Sequence, residues 1–476
     1  MRISCGDTNY PLEHICTDMK SKESMVNNAR KTSLYILNTL DQGNKTLDNI
    51  LDEVLSHQTF LSRKDRALLQ AIVYGVLRWR AKLDWIIHYF SKTPLNQIDP
   101  KVMNILRIAL FQIIYLNRIP VSAAVNTSVE MAKSVTEPYV VRFVNALLRN
   151  AAKKYQHVSF PDVNQDPASA LAVKQSFPKW LLKRWLDRFG LKETVWLCDA
   201  INTIPPITVR CNTLRIRRET LCKFLEKDVQ DIEYTKYAPD GALFFNPKKS
   251  IPEMKAFEDG LFQVQDEAAQ LITFLLNPKP GETVLDACAG LGGKTGHISQ
   301  MMNNRGKLIA MDNNVKKLHR LQSEMVRLGI SMVTPCTHDL NEPVGDKSLN
   351  KYDRILLDAP CSGLGVLRRN PDAKWNILEQ DLIRHAKRQA TFLDNLAYQV
   401  KPEGLLVYCV CSTEPEENES VIKGFLNKHK DFAIKKNPGG LPYKARSLLT
   451  DNGYFKTFPH LHNMDGFFAV CMKRKR

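Results

Sequence analysis

The sequence predicts a multidomain protein with an all-helical N-terminal domain, a small α+β middle region and a C-terminal α/β domain on a mostly parallel sheet. Three observations predict it. Apolar residues recur at helical spacing from about Val26 to Lys154, short strands and short helices mix between about Phe160 and Gly260, and from Glu267 apolar strands alternate with helical patterns. The implied bounds are a flexible extension over 1–25, a helical domain over 26–156, an α+β subdomain over 157–262 and an α/β domain over 263–476. A chain of 476 residues is long for a single core, which agrees with several domains.

In the first region Leu47, Ile50, Leu51, Val54 and Leu55 follow the i, i+3, i+4 spacing of one helix face, and Leu68, Leu69, Ile72, Val73, Val76 and Leu77 repeat it. "SRKD" at Ser62–Asp65 reads as a helix start before the second run. Further helices are expected over Lys82–Tyr89, Val102–Leu116, Ala123–Ser134 and Tyr139–Ala152, separated by "TPLNQIDP", "RIP" and "TEP". In the middle region "PPITVRCNTL" and "GALFF" are the expected strands. In the third region "TVLDAC", "KLIAMD", "RILLDAP" and "LLVYCVC" are strands, the last of them closing the series. Helices follow Lys294 and cover Val315–Leu328 and Glu379–Val400. Ligands of such sheets bind at the carboxyl ends of the strands.

Composition narrows the function classes. The chain is 44% hydrophobic and 25% charged, with no apolar run near the roughly 20 residues of a membrane helix and no apolar stretch at its start that reads as a secretory signal. A cytoplasmic protein is expected. Eleven cysteines, an odd number without framework spacing, imply reduced thiols. The "CVC" of Cys409–Cys411 and the "HLH" of His460–His462 lack a second pair at zinc-site spacing, so no metal is expected. A net charge of +17 favours a polyanionic partner, with "RWRAK", "RIRRET" and the terminal "KRKR" as basic clusters.

"VLDACAGLGGKTGHIS", Val284–Ser299, is a strand, a glycine-rich loop and a helix. Such a loop lets the backbone approach a ligand while the helix start offers unpaired N–H groups. Asp312 ends the next strand, where an acid can accept from both hydroxyls of a ribose. Asp339 and Asp358 fall at corresponding places after the following strands, and Asp286 ends the first. An acid on the ribose suits NAD and S-adenosylmethionine equally. The loop lacks the G-x-G-x-x-G spacing that seats a pyrophosphate, and a positively charged sulfonium suits the surrounding acids better.

Two cysteines lie at strand ends. Cys361 sits in "LLDAPCSGLG" and Cys411 in "LLVYCVCSTEPEENE"; alternation puts Cys409 and Cys411 on one face of their strand and Val410 on the other, with Cys409 deeper in. "YDRILLDAPCSG", "VCSTEPEEN" and "DACAGLGGKT" resemble the RNA cytosine-5 methyltransferase family, whose members carry a proline-cysteine and a threonine-cysteine motif on successive strand ends. The stretches "LRIALFQIIYLNRIPVSAAVNTSVEMAK" and "RFVNALLRN" resemble the NusB-type RNA-binding domain. Together they are similar to the RsmB (Sun/Fmu) type of small-subunit ribosomal RNA methyltransferase, over nearly all of the chain after Val26.

The resemblance implies a NusB-like domain followed by a Rossmann-like methyltransferase that uses S-adenosylmethionine and acts, as a monomer, on RNA. It implies methyl transfer to C5 of a cytosine in 16S ribosomal RNA. Cytosine C5 is a poor nucleophile, so a thiolate must first add at C6. Cys411 is the implied nucleophile, Cys361 assists product release, and Asp358 holds and polarises the base near N3. Cys288, Ala289, Gly290, Leu291, Gly292, Gly293 and Lys294 would hold the cofactor with Asp312 and Asp339, and Asp358 would border both pockets. The target base must leave its stack, which implies a loop or bulge in the RNA.

RNA is expected on the helical domain and on Arg210, Arg215, Arg217 and Arg218. The family loop C-A-A-P-G-G-K is replaced here by a form with Gly290 and Leu291, which should loosen it. Val410 stands where the family has threonine, so any hydroxyl that orients the base is missing. Competing readings are a DNA cytosine-5 methyltransferase with Cys361 as nucleophile, action on transfer RNA or large-subunit RNA, and a non-catalytic RNA assembly factor.

Overall fold

The computed structural model describes residues 22–43, 45–57, 61–345 and 351–476. The expected flexible extension over 1–25 falls largely outside them. The chain forms two compact units, one as far as Leu191 and one from Lys192 to Arg476. Among the described residues no helix is long and apolar enough to cross a membrane.

The first unit is helical. Its main helices are α1 (Lys22–Asp41), α2 (Leu47–His57), α3 (Arg63–Phe90), α4 (Pro100–Tyr115), α5 (Val121–Lys133) and α6 (Pro138–Lys154). Ser62 caps α3 as its sequence suggests, accepting from Asp65 N at 3.2 Å. The helices expected to end near Leu77 and restart at Lys82 are one, bent at Trp79 (φ −112°, ψ 17°). There Ser176 Oγ takes the Ala81 N–H at 2.8 Å, and a side chain inserted into the backbone ladder is a recognised cause of a kink. Helices α3 and α4 approach closely because Gly75 has no side chain: a Cβ there would lie 1.9 Å from the Phe111 ring. Beside this apolar contact Arg107 grips Asp84 with two bonds of 2.7 and 2.9 Å and donates to Asn104 at 2.8 Å, so the buried polar atoms are paired.

The second unit holds two sheets. The smaller is antiparallel, in the order β2 (Asp231–Tyr234), β3 (Gly241–Phe245), β1 (Ile207–Cys211) and β4 (Phe262–Val264); helix α7 (Arg218–Leu225) adds Leu221 and Leu225 to a core with Val209, Phe244 and Phe262. The larger has the order β10 (Phe432–Ile434), β12 (Phe468–Arg474), β9 (Val400–Val410), β8 (Tyr352–Asp358), β5 (Thr283–Asp286), β6 (Lys307–Asp312) and β7 (Val333–Thr337), with β11 (Tyr454–Lys456) paired to β12. Pairs from β9 to β7 are parallel, as their apolar runs predict. The helices α8 (Glu267–Leu276), α9 (Gly293–Met301), α10 (Val315–Leu328), α11 (Glu379–Ala397) and α12 (Glu419–Lys428) accompany it. Strand β9 does not close the series: β12 pairs antiparallel along its outer side from Phe468↔Val410 to Lys473↔Leu405. The chain leaves β5 for β6 on one side and returns to β8 on the other, which opens a crevice at the carboxyl ends between them.

One expectation is overturned in the smaller sheet. Arg210, placed by its charge on an RNA-binding face, is fully buried. Its guanidinium donates to Gln300 Oε1 at 3.0 Å, Gln263 Oε1 at 2.7 Å, the Gly293 carbonyl at 3.0 Å and Gln265 Oε1. Three glutamines and a carbonyl replace water around the charge, which is what a buried arginine requires. Arg215 and Arg217 are exposed, whereas Arg218 stacks over the Tyr234 ring at 3.9 Å and pairs with Glu219. Arg210→Ala is therefore expected to cost about 3 kcal/mol of unfolding free energy in urea denaturation, because it strands buried acceptors. Arg217→Ala should stay within about 0.5 kcal/mol.

Candidate active site

The site is built on strand ends that the parallel register brings level. Asp286 closes β5, Asp312 closes β6 opposite Thr337, and Asp358 closes β8 opposite Cys409 of β9; Cys411 follows β9 directly. Asp339 lies just past β7, exposed, and accepts from Asn341 N and Nδ2 within its own turn.

The glycine-rich loop leaves β5 by continuing its ladders on alternate sides. Ala287 N donates to Leu356 O of β8 and Ala289 N to Met311 O of β6, each at 2.8 Å. Gly290 (φ 55°) and Gly292 (φ 87°) then take left-handed conformations that side chains resist, and a Cβ at Gly292 would crowd Leu321 at 2.8 Å. A Cβ at Gly290 would enter open space, so the loop leaves room on its outer side. Asp312 pins the loop: its Oδ2 accepts from Gly290 N at 3.0 Å and its Oδ1 from Asn314 N at 2.8 Å. Ala289 is buried, Cys288 half-buried and Leu291 54% exposed, so the missing family proline is replaced by a side chain that packs little. The loosening expected from that change is opposed by the Asp312 bond and by Gly292 N on Ala289 O at 2.9 Å.

Lys294, expected against a cofactor, is turned to Asp358, with 2.5 Å between Nζ and Oδ2. Burial works against its charge, but the adjacent Asp358 carboxylate outweighs it and holds Lys294 above its ordinary range. The other oxygen of Asp358 accepts from Cys409 Sγ at 3.3 Å. Beside them Cys361 Sγ and Cys411 Sγ stand 3.2 Å apart, both half-buried, and every described cysteine is free. The hydrogen bond to Cys411 and burial together push the Cys361 thiol well above its usual range. Burial pushes Cys288 and Cys409 the same way. Cys409 and Cys411 share a face, while Val410 is fully buried in the apolar cluster of Val421, Ile422 and Phe468 on the other. The side chain at 410 thus lies on the opposite face of β9 from Cys409 and Cys411.

Sequence reasoning missed Glu417. It is fully buried and bonds to both Ser362 and Ser412, the residues that follow the two thiols. The signal was present: both motifs read Cys-Ser, and a repeated hydroxyl beside two paired thiols asks for a common acceptor.

Three family models match the chain: 16S rRNA methyltransferase RsmB/F over residues 273–473, the NusB family over 27–153 and an RsmF/B-like ferredoxin-like domain over 177–249. The probable ribosomal RNA small subunit methyltransferase B of Bacillus subtilis is 35% identical over 94% of this chain and 98% of its own length. The chain belongs to the RsmB/F family of rRNA methyltransferases. The ribosomal RNA small subunit methyltransferase B of Escherichia coli O157:H7 is 33% identical over 94% of the chain and 99% of its own length. The crystal structure of PH0851 superposes with a TM-score of 0.77 at 26% identity, covering 96% of this chain and all of that one. A methyltransferase homologue from Pyrococcus horikoshii gives a TM-score of 0.55 at 28% identity over 65% of this chain and 99% of its own.

As an RsmB/F member the chain is an S-adenosylmethionine-dependent RNA methyltransferase, and its strand-end loop fits that cofactor. Each Asp312 oxygen has one backbone N–H and retains a lone pair for a hydroxyl. Asp286, beneath the loop, accepts from Thr295 Oγ1 at 2.7 Å through Oδ2, while its buried Oδ1 has no partner. Burial pushes Asp286 up to about 7. An acid whose folded-state pKa is raised binds more protons folded than unfolded, so its contribution to stability falls as pH rises from the usual carboxylate range toward about 7. Thermal melts from pH 4 to pH 8 should show the wild type losing stability relative to Asp286→Asn across that window; parallel curves would show that Asp286 ionises freely.

Proposed function

We propose that this enzyme methylates C5 of a cytosine in small-subunit ribosomal RNA, with Cys411 as covalent nucleophile and Cys361 as the thiol that assists release. The observation that carries the reading is the pair of thiols 3.2 Å apart beside the Asp358–Lys294 pair, at the carboxyl ends of adjacent parallel strands. A single thiol would suit packing; two in contact beside an acid suit a reaction that must both form and break a C–S bond.

The bound cofactor would supply an electrophilic methyl group, and the backbone of Cys288–Gly293 with Asp312 and Asp339 would hold it. Asp358 holds the base at its N3 edge, where Lys294 steadies the carboxylate. The Cys411 sulfur bonds to C6, and the electron pair of the C5–C6 double bond makes C5 able to take the methyl group. Water then takes the C5 proton as the C6–S bond breaks, the C–H pair returning to the ring double bond and the C–S pair leaving Cys411 as thiolate. All of these groups come from one chain, which suits action as a monomer. RNA contacts are expected of each unit by itself, from the NusB-type helical unit in one and from the exposed Arg215 and Arg217 in the other.

Cys411→Ala should abolish methyl transfer to a small-subunit RNA transcript. Cys361→Ala should instead accumulate an RNA adduct that survives denaturing electrophoresis. Retained activity in Cys411→Ala, or an adduct in neither variant, overturns the assignment. Affinity for RNA should fall steeply between low and moderate salt, as counterion release demands; a flat dependence would exclude an electrostatic RNA surface.

A further inference from the structure

Glu417 carries a carboxylate sealed behind the two thiols. All four of its hydrogen bonds come from neutral donors: Oε1 accepts from Ser362 N at 2.9 Å and Gln389 Nε2 at 3.0 Å, and Oε2 accepts from Ser362 Oγ and Ser412 Oγ, each at 2.5 Å. The clamp has a floor. Gln389, buried on α11, also donates to the Pro360 carbonyl at 3.1 Å, and the Tyr408 hydroxyl sits 3.0 Å from Gln389 Oε1 and 2.6 Å from the Glu417 carbonyl. Backbone bonds complete it, with Gly365 N on Cys411 O at 2.9 Å.

An ionised carboxylate in a dry interior is costly unless every lone-pair direction is filled, and here they are. Three of the four acceptor positions serve the residue that follows a reactive sulfur, two taken by Ser362 after Cys361 and one by Ser412 after Cys411; the fourth holds Gln389, whose amide nitrogen also reaches the Pro360 carbonyl. Apart from Gln389, the carboxylate bonds only the successor of each thiol, a pattern that anchoring the sheet alone does not call for.

We infer that Glu417 is a positioning residue for methyl transfer, holding Cys411 and Cys361 in mutual register by bonding the residue that follows each. The inference rests on the proposed roles of the two cysteines. With both serines tied to one oxygen, the backbone after each sulfur is held to the other, which keeps the thiol that attacks C6 within reach of the thiol that assists its departure. The nearby anion also disfavours a second negative charge on Cys361, in line with the raised pKa of that thiol.

The test is steady-state kinetics of full-length Glu417→Gln on a small-subunit RNA transcript, with S-adenosylhomocysteine binding measured by calorimetry. The amide keeps the shape but replaces two acceptor positions with donors. The expected result is a kcat lower by about 10- to 100-fold, with KM for RNA and cofactor, and the calorimetric affinity, within about threefold of the wild type. A kcat within about twofold of the wild type overturns the inference, as does a parallel loss of kcat and cofactor affinity, which marks a general structural role. If Glu417→Gln does not fold, Ser412→Ala removes one bond to the same oxygen and is judged by the same split. Active Glu417→Gln beside inactive Cys411→Ala would sink only the positioning role; active Cys411→Ala would sink the cysteine assignment beneath it.

Discussion

The ion pair between Lys294 and Asp358 is the constraint on which the site depends. Lys294 stands in the first turn of α9, immediately after the cofactor loop, and Asp358 ends β8; their side chains are 10% and 31% exposed. A charge so withdrawn from water needs its partner, since removing either leaves the other uncompensated. The loop that follows β5 and the acid that ends β8 are therefore fixed to each other. The remaining oxygen of Asp358 takes the Cys409 thiol, which brings β9 into the same arrangement. One carboxylate thus joins three adjacent strand ends.

The smaller sheet reinforces this point from behind. Arg210 reaches out of β1 to the carbonyl of Gly293, at the start of the same helix, and to Gln300 further along it. Asn212 adds bonds to the carbonyls of Gly260 and Leu328, at 2.8 and 2.9 Å, so the end of α10 is held as well. The antiparallel sheet is consequently part of the support of the cofactor loop, and its most buried cation serves that support in place of a nucleic acid.

Much of this could be read from the sequence, because the signals are local. Apolar runs ending in Asp286, Asp312 and Asp358 announce parallel strands with acids at their carboxyl ends, and helical spacing announces the first unit. The residues that escaped reading depend on partners distant along the chain. Arg210 looks like surface charge until Gln263, Gln265 and Gln300 converge on it, and no window of sequence shows that convergence. Glu417 lies in the acidic run "EPEENE", where solvated side chains are the ordinary outcome. The pairing of β12 with β9 is a long-range match of two apolar strands, and nothing in "FFAVCMKR" names its neighbour. The bend at Trp79 was hidden for a similar reason, since the hydroxyl that accepts the freed N–H belongs to Ser176.

The antiparallel strand β12 sets an order in time. Strand β9 ends at the candidate nucleophile, and its outer edge is covered only by Phe468–Arg474, residues synthesised well after Cys411 itself. On a ribosome, β9 emerges with one flank bare, and that flank is paired only after the last strand of the sheet has arrived. The carboxyl-terminal strand is thus a completion signal: a chain broken off before Phe468 has its glycine-rich loop and both cysteines but no outer neighbour for β9.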